Sequence, residues 1–186
     1  MPTDRPFLDS LTVRHVGPDI DLTGFTCASE GVVWFLRNAA VICHRKQANT
    51  TTCWMDGPRL AGYVTLRTEE IVIKSGSAKE RFGLAGIKVT EKGKDLYRFP
   101  SVLIAMLGVC TPYCRKGLAR EMVLFSLGHA RSMSKAGVGC RFVRVDSEKT
   151  DAALGLYRGA GFVSAPEQEE ARGTESMYFD MGERTD

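Results

Sequence analysis

One stretch, residues 100–120, constrains the fold of this chain more than any other. It contains an unbroken apolar run, Val102 to Val109, which is typical of a strand buried on both faces. A short basic turn follows and ends at Gly117, after which apolar residues recur at helical spacing as far as Met133. The pattern predicts a buried strand, a tight turn and an amphipathic helix of about four turns.

The turn between this strand and this helix is predicted to bind an anion. The first N–H groups of a helix have no partner within the helix, and the helix dipole adds partial positive charge there. Arg115 and Lys116 contribute charge, and Gly117 allows close approach of the backbone to a ligand. A dinucleotide-binding turn needs three glycines, and this turn has only Gly117. A triphosphate loop needs a second glycine and a Lys-Ser/Thr pair at its end, which are absent. The alternative is a surface turn with incidental basic residues.

The length, composition and net charge predict one soluble, cytoplasmic domain over residues 1–186. The composition, 44% hydrophobic and 25% charged, is that of an ordinary globular protein. No apolar run approaches the ~20 residues of a membrane span, and the first residues lack the apolar core of a signal peptide. The net charge of +3 permits an acidic partner without requiring one.

The six cysteines are scattered and lack the spacing of metal ligands, so we expect free buried thiols and no metal site.

The rest of the chain predicts strands and helices that form an α/β sandwich with a mixed sheet. Asp56-Gly57 between two β-rich runs is a strong hairpin signal. Residues 75–99 are expected to form a polar, basic connection. The predicted strands cover residues 11–16, 50–55, 60–66, 70–74, 140–145 and 176–181, and the other predicted helices cover 30–47 and 150–160, the latter ended by Gly161.

Two motifs resemble the GNAT superfamily of N-acetyltransferases. Its pyrophosphate loop reads Gln/Arg-x-x-Gly-x-Gly/Ala, and this chain departs from it at the first position, where Cys114 stands. A later helix in that superfamily reads Ala-x-x-x-(Leu/Phe)-Tyr-x-x-x-Gly-Phe. That pattern is filled in order by Ala152, Leu156, Tyr157, Gly161 and Phe162. The chain is identified as a member of this superfamily, which implies the GNAT fold, a mixed central sheet flanked by helices on both faces.

The resemblance also implies roles for named residues. Acetyl-CoA would be the acetyl donor, with backbone groups of Leu107 and Val109 aligning its pantetheine arm. Tyr157 would protonate the departing thiolate. No base is assigned: Glu69 and Glu70 are candidates, and His129 is expected to face solvent. The pyrophosphate would be held by the loop residues Arg115, Lys116, Gly117, Leu118, Ala119 and Arg120.

A narrower resemblance is to the acetyltransferase toxins of bacterial toxin–antitoxin pairs, which acetylate the amino group of aminoacyl-tRNA. Met106 and Cys110 depart from the arginine and aspartate of the toxin pattern. The resemblance rests on Phe25, Cys27, Trp34 and Leu36 and on residues 62–66 and 104–110, the last of which contains both departures.

This narrower resemblance implies aminoacyl-tRNA as acceptor, a cognate antitoxin and a homodimer. Basic residues of 75–99, with Arg45 and Lys46, would contact phosphates. Two alternatives stay open at this point: acetylation of a small-molecule or protein amine, and a non-catalytic coenzyme A-binding regulatory module. The presence of Tyr157 favours an enzyme over the module.

Overall fold

A computed structural model describes residues 4–74, 87–91, 94–165 and 173–182. The helices are α1 (Arg5–Ser10), α2 (Glu30–Asn38), α3 (Ala40–Arg45), α4 (Leu118–Lys135) and α5 (Asp151–Arg158), with a 3₁₀ turn at Thr111–Tyr113. The strands are β1 (Thr12–His15), β2 (Thr50–Asp56), β3 (Arg59–Lys74), β4 (Ile87–Glu91), β5 (Lys94–Val109), β6 (Phe142–Glu148), β7 (Val163–Ser164) and β8 (Thr174–Asp180).

The strands lie in the order β1-β2-β3-β5-β6-β8-β7, and β4 pairs with β5. Pairing is antiparallel for β1 with β2, β2 with β3, β4 with β5, β6 with β8 and β7 with β8. Neighbouring β5 and β6 are connected through α4, as the crossover of a βαβ unit requires. The predicted α/β class with a mixed sheet is confirmed.

The chain divides into two units, each discontinuous in sequence. The first comprises residues 1–67 with 104–126, and the second comprises 68–103 with 127–186. The single-domain interpretation of residues 1–186 stays a prediction. The core of the first unit includes Phe25, Leu36, Tyr63, Leu118 and Met122, all of which are almost fully buried. The second unit has a cluster of its own, formed by Ile71, Phe99, Phe142, Ala165 and Tyr178.

The predicted helix over 30–47 is wrong in its continuity, because it is two helices that meet at Ala39. The side-chain amide of Asn38 donates to the Trp34 carbonyl at 2.8 Å, which competes with the regular backbone bond at that turn. The apolar face expected for this helix also differs: Trp34 is 63% exposed and Ile42 is 56% exposed.

The predicted polar connection over 75–99 is also wrong where the structure describes it. Residues 87–91 form β4, which pairs with the start of β5 from Ile87↔Arg98 to Glu91↔Lys94. Main-chain pairing of this kind depends on a partner strand rather than on apolar periodicity. Residues 75–86 and 92–93, which include Lys79, Arg81 and Lys92, lie outside the described residues.

β3 is one strand where two were predicted. Its polar middle, around Glu69 and Glu70, interrupts the apolar pattern in the sequence. Glu69 bonds to Arg144 of β6, and Glu70 bonds to Arg98 of β5. These cross-strand ion pairs satisfy charged side chains that would otherwise disfavour a strand.

One helix was not predicted, and two predicted strands have different ends. α1 lies in a stretch for which no element was predicted, and Asp4 caps it by accepting from the Phe7 N–H at 3.3 Å. β6 begins at Phe142 and continues to Glu148, across the predicted turn. β8 covers Thr174–Asp180.

Gly108 of β5 is required by packing in the first unit. A Cβ at this position would lie 2.7 Å from Cγ1 of Val32, 3.1 Å from Phe25 and 3.2 Å from Tyr63. We expect Gly108→Ala to lower the free energy of unfolding by about 1–3 kcal/mol through overpacking, measured by chemical denaturation.

Gly155→Ala is the matched control, because a Cβ there meets nothing within 4 Å. Alanine in a helix should stabilise by roughly 0.5–1 kcal/mol relative to glycine. Equal effects of the two substitutions would contradict the packing assignment at Gly108.

Candidate active site

The end of β5 carries the first elements of the site, in the first unit. Leu107 and Val109 are half-buried, while Gly108 between them is buried. The Cys110 N–H donates to the Ala61 carbonyl at 2.8 Å, and the Thr111 N–H donates to Thr26 at 2.8 Å. These bonds hold the exit of the strand, so the turn that follows starts from a fixed position.

The turn itself has an unusual backbone. After the 3₁₀ turn, Arg115 has φ 63° and Gly117 has φ 89°, both in the left-handed region. This region suits glycine, but at a residue with a side chain it costs roughly 1–2 kcal/mol. Strained backbone of this kind is concentrated at ligand-binding and catalytic sites.

Six consecutive backbone N–H groups, those of residues 115–120, have no acceptor among the residues that the structure describes. The first bond of α4 runs from the Glu121 N–H to the Gly117 carbonyl, at 3.1 Å. A run of unsatisfied donors at a helix start is the arrangement that binds phosphate and other anions.

The side chains of the predicted loop differ in what they can contribute. Arg115 and Arg120 are exposed, so both can place positive charge near an anion. Leu118 is 1% exposed and belongs to the core, so only its N–H is available. The Lys116 ammonium lies 4.5 Å from the ring centroid of Phe7 and 5.7 Å from that of Tyr113.

Tyr157 lies in the second unit, near the end of α5. Thr150 caps this helix by accepting from the Ala153 N–H at 3.2 Å, and Gly161, with φ 92°, follows its end as predicted. The Tyr157 ring packs edge-on against Phe162, with centroids 5.5 Å apart. Burial, together with the charge of Glu148, raises the pKa of Tyr157. The phenol therefore stays protonated at neutral pH.

The carboxylates considered as bases are engaged in ion pairs. Arg144 donates to Glu69 at 3.1 Å and also bonds Asp146, while Glu70 bonds Arg98. Burial alone would lower the pKa of Arg144, but Asp146 and Glu69 raise it overall, so its charge persists. Both candidate carboxylates of β3 are therefore held by an arginine. His129 is exposed, as expected.

All six cysteines are free thiols. Cys53 and Cys110 are buried, and burial raises the pKa of the Cys53 thiol to about 12. Cys114 is exposed, contrary to the expectation of buried thiols. Within the described ranges, no three His, Cys, Asp or Glu side chains are grouped to hold a metal ion. In the same ranges, no helix is both long and apolar enough to cross a membrane.

Comparison with solved structures identifies the fold. A tyrosine-to-phenylalanine mutant of the AtaT toxin, bound to the C-terminus of the antitoxin AtaR and acetyl-CoA, matches with a TM-score of 0.68 and 20% identity, covering 91% of this chain and 92% of that chain. AtaT complexed with acetyl-methionyl-tRNAfMet matches with a TM-score of 0.71 and 21% identity, covering 91% and 94%. A tyrosine-to-phenylalanine mutant of KacT matches with a TM-score of 0.72 and 21% identity, covering 92% and 95%.

No protein-family model and no curated protein matches the sequence. The structural likeness nevertheless extends over almost the whole chain, so the fold is the GNAT fold of these toxins, as predicted.

Proposed function

We propose that this chain is an N-acetyltransferase that uses acetyl-CoA and transfers the acetyl group directly to a primary amine. The observation that supports this most is the run of unsatisfied N–H groups at residues 115–120. Coenzyme A carries a pyrophosphate, which requires several donors held at fixed positions. The GNAT fold of the chain, and the acetyl-CoA bound to the AtaT mutant, favour this anion over others.

The loop and the strand before it would bind different parts of the coenzyme. The N–H groups of Arg115 to Arg120 would bind the pyrophosphate, with the Arg115 and Arg120 side chains adding charge. Backbone groups of Leu107 and Val109 would align the pantetheine arm, as in the superfamily that the sequence resembles.

The reaction forms a C–N bond and breaks the C–S bond of the thioester. The neutral amine attacks the carbonyl carbon and loses one proton, and the sulfur leaves as a thiolate and gains one. We assign Tyr157, whose hydroxyl is kept neutral by burial, as the donor of the proton that the thiolate gains. We assign water as the acceptor of the proton that the amine loses, since Glu69 and Glu70 are both ion-paired.

The acceptor we propose is the amino group of an aminoacyl-tRNA. AtaT, a neighbour over 91% of this chain, has been solved with an acetylated aminoacyl-tRNA. Arg45 and Lys46 are exposed at the end of α3, where they can reach a phosphate backbone. The same neighbours favour a cognate antitoxin as partner, and we retain the homodimer as part of the proposal.

Labelled acetyl-CoA offered with aminoacyl-tRNA and with a panel of free amines tests both levels of the proposal. We expect label on the tRNA-linked amino acid. Label only on free amines would contradict the tRNA acceptor and leave the acetyltransferase standing. No transfer to any amine would contradict the enzyme itself.

Salt dependence tests the phosphate contacts. We expect tRNA binding to weaken by about 0.7–0.9 log units per log unit of salt for each phosphate neutralised. Replacing Arg45 and Lys46 with glutamine should reduce that slope, measured by filter binding. The matched control replaces the exposed Arg67 and Lys135 and should leave the slope unchanged. An equal change in both pairs would contradict a specific role for Arg45 and Lys46.

A further inference from the structure

The N-terminal helix α1 is attached to the anion-binding turn at several points. The Asp4 N–H donates to the Lys116 carbonyl at 3.3 Å, and Phe7 stacks on Tyr113 with centroids 5.7 Å apart and planes 17° from parallel. Arg5 lies 3.8 Å from the Glu121 carboxylate, in the first turn of α4. No local sequence pattern predicts these contacts, since they join residues about a hundred positions apart.

The bond to the Lys116 carbonyl determines where the next N–H points. A peptide unit is planar and trans, so its C=O and N–H point in opposite directions. The Lys116 carbonyl and the Gly117 N–H belong to the same peptide unit. By holding the carbonyl on the side of α1, Asp4 directs the Gly117 N–H away from α1.

The Lys116 side chain adds a second attachment. Its ammonium is 4.5 Å from the Phe7 centroid and 5.7 Å from the Tyr113 centroid, both within the range of a cation–π interaction. Tyr113 is 8% exposed and donates from its hydroxyl to Asp56 at 2.8 Å. Tyr113 is therefore fixed from two sides, by Phe7 and by the hairpin between β2 and β3.

We propose that Phe7 and Lys116 are positioning residues for the coenzyme, and that Lys116 acts by holding the turn rather than by contacting phosphate. This rests on the proposed function, since the ligand is acetyl-CoA. In this arrangement, α1 and the two aromatic rings keep residues 115–117 in the conformation that presents their N–H groups. Removing either member of the Phe7–Lys116 contact loosens the turn, and removing both loosens it by less than the sum of the two single effects, because their shared contact is lost only once.

The test is a double-mutant cycle on acetyl-CoA affinity, measured by calorimetry at low and high salt with Phe7→Leu, Lys116→Met and the double variant. Both replacements keep apolar bulk. We expect each single variant to bind about 3- to 10-fold more weakly, as the loss of a cation–π contact implies. The double variant should lose less affinity than the product of the two single losses. Phe7→Tyr, which keeps the aromatic face, should restore wild-type affinity. The salt dependence should be the same in Lys116→Met as in the wild type.

Two results would overturn the proposal. One is an additive loss in the double variant with a smaller salt dependence in Lys116→Met, which would make Lys116 a direct phosphate ligand. The other is wild-type affinity in Phe7→Leu.

If the wild type itself does not bind acetyl-CoA, the proposed function fails, and hydrogen exchange of the free protein still tests the attachment. The informative amides are those of Asp4 and Glu121, which donate to the carbonyls of Lys116 and Gly117. Faster exchange of these two amides in Phe7→Leu supports the attachment, and unchanged exchange overturns it.

Discussion

Tyr157→Phe is expected to lower turnover by about 10²–10⁴-fold and to leave acetyl-CoA affinity within a factor of two or so, because the phenolic proton is used only as the thiolate leaves. The ring and its edge-on contact with Phe162 are kept in phenylalanine, so packing is preserved. Steady-state kinetics with saturating acetyl-CoA, together with calorimetry, separates the two effects.

The pH dependence provides a further measurement on the same residue. Burial and the Glu148 charge raise the pKa of Tyr157, so the phenol stays protonated throughout the neutral and mildly alkaline range. Loss of the donor through ionisation therefore begins only above the ordinary tyrosine value of ~10. A fall in turnover between pH 7 and 9 that is present in the wild type and absent in Tyr157→Phe would contradict this assignment.

Tyr178→Phe is the matched control. Tyr178 is 5% exposed, lies in the same unit and packs edge-on against Phe142. We expect its hydroxyl to matter for stability and not for turnover. Comparable losses in the two variants would show that any buried tyrosine of this unit is needed for the fold, and the role of proton donor would be withdrawn from Tyr157.

The parts of the fold that the sequence predicted correctly depend on local signals. An apolar run followed by helical spacing predicts α4 and the part of β5 from Val102 to Val109, although the strand begins at Lys94. Asp56-Gly57 predicts the hairpin, in which Gly57 has φ 56°. Gly161 likewise has the left-handed conformation expected after a helix. In each case the physical cause lies within a few residues of the effect, so one sequence is enough to find it.

The errors have causes that are distant in the chain. The polar middle of β3 is a strand because Arg144, 75 positions away, bonds Glu69. Gly108 packs against Val32, Phe25 and Tyr63, and α1 stacks Phe7 on Tyr113. Such contacts leave no periodicity near the residue concerned. The anion-binding turn was therefore predictable, whereas the residues that hold it in position were not.

Gly117→Asp is expected to weaken acetyl-CoA binding roughly 5- to 100-fold, because an added charge ~5 Å from a phosphate costs about 1–3 kcal/mol between the dielectric limits of water and a protein surface. The new side chain also crowds the turn. At φ 89° it adds backbone strain, which lowers stability whatever the ligand. Calorimetry measures the affinity for acetyl-CoA, and thermal unfolding of the free protein measures the stability lost through backbone strain.

The chain offers a control that separates these two contributions. Gly137 follows α4 and has φ 94°, so Gly137→Asp adds a similar strain and the same charge, and its Cβ meets nothing within 4 Å. We expect the two variants to lose similar stability and only Gly117→Asp to lose affinity. Gly117→Ala adds the strain without the charge and should fall between the wild type and Gly117→Asp in affinity. Equal affinities in Gly117→Asp and Gly137→Asp would mean that the coenzyme does not use the N–H groups of 115–120, and the anion-binding assignment would have to be abandoned.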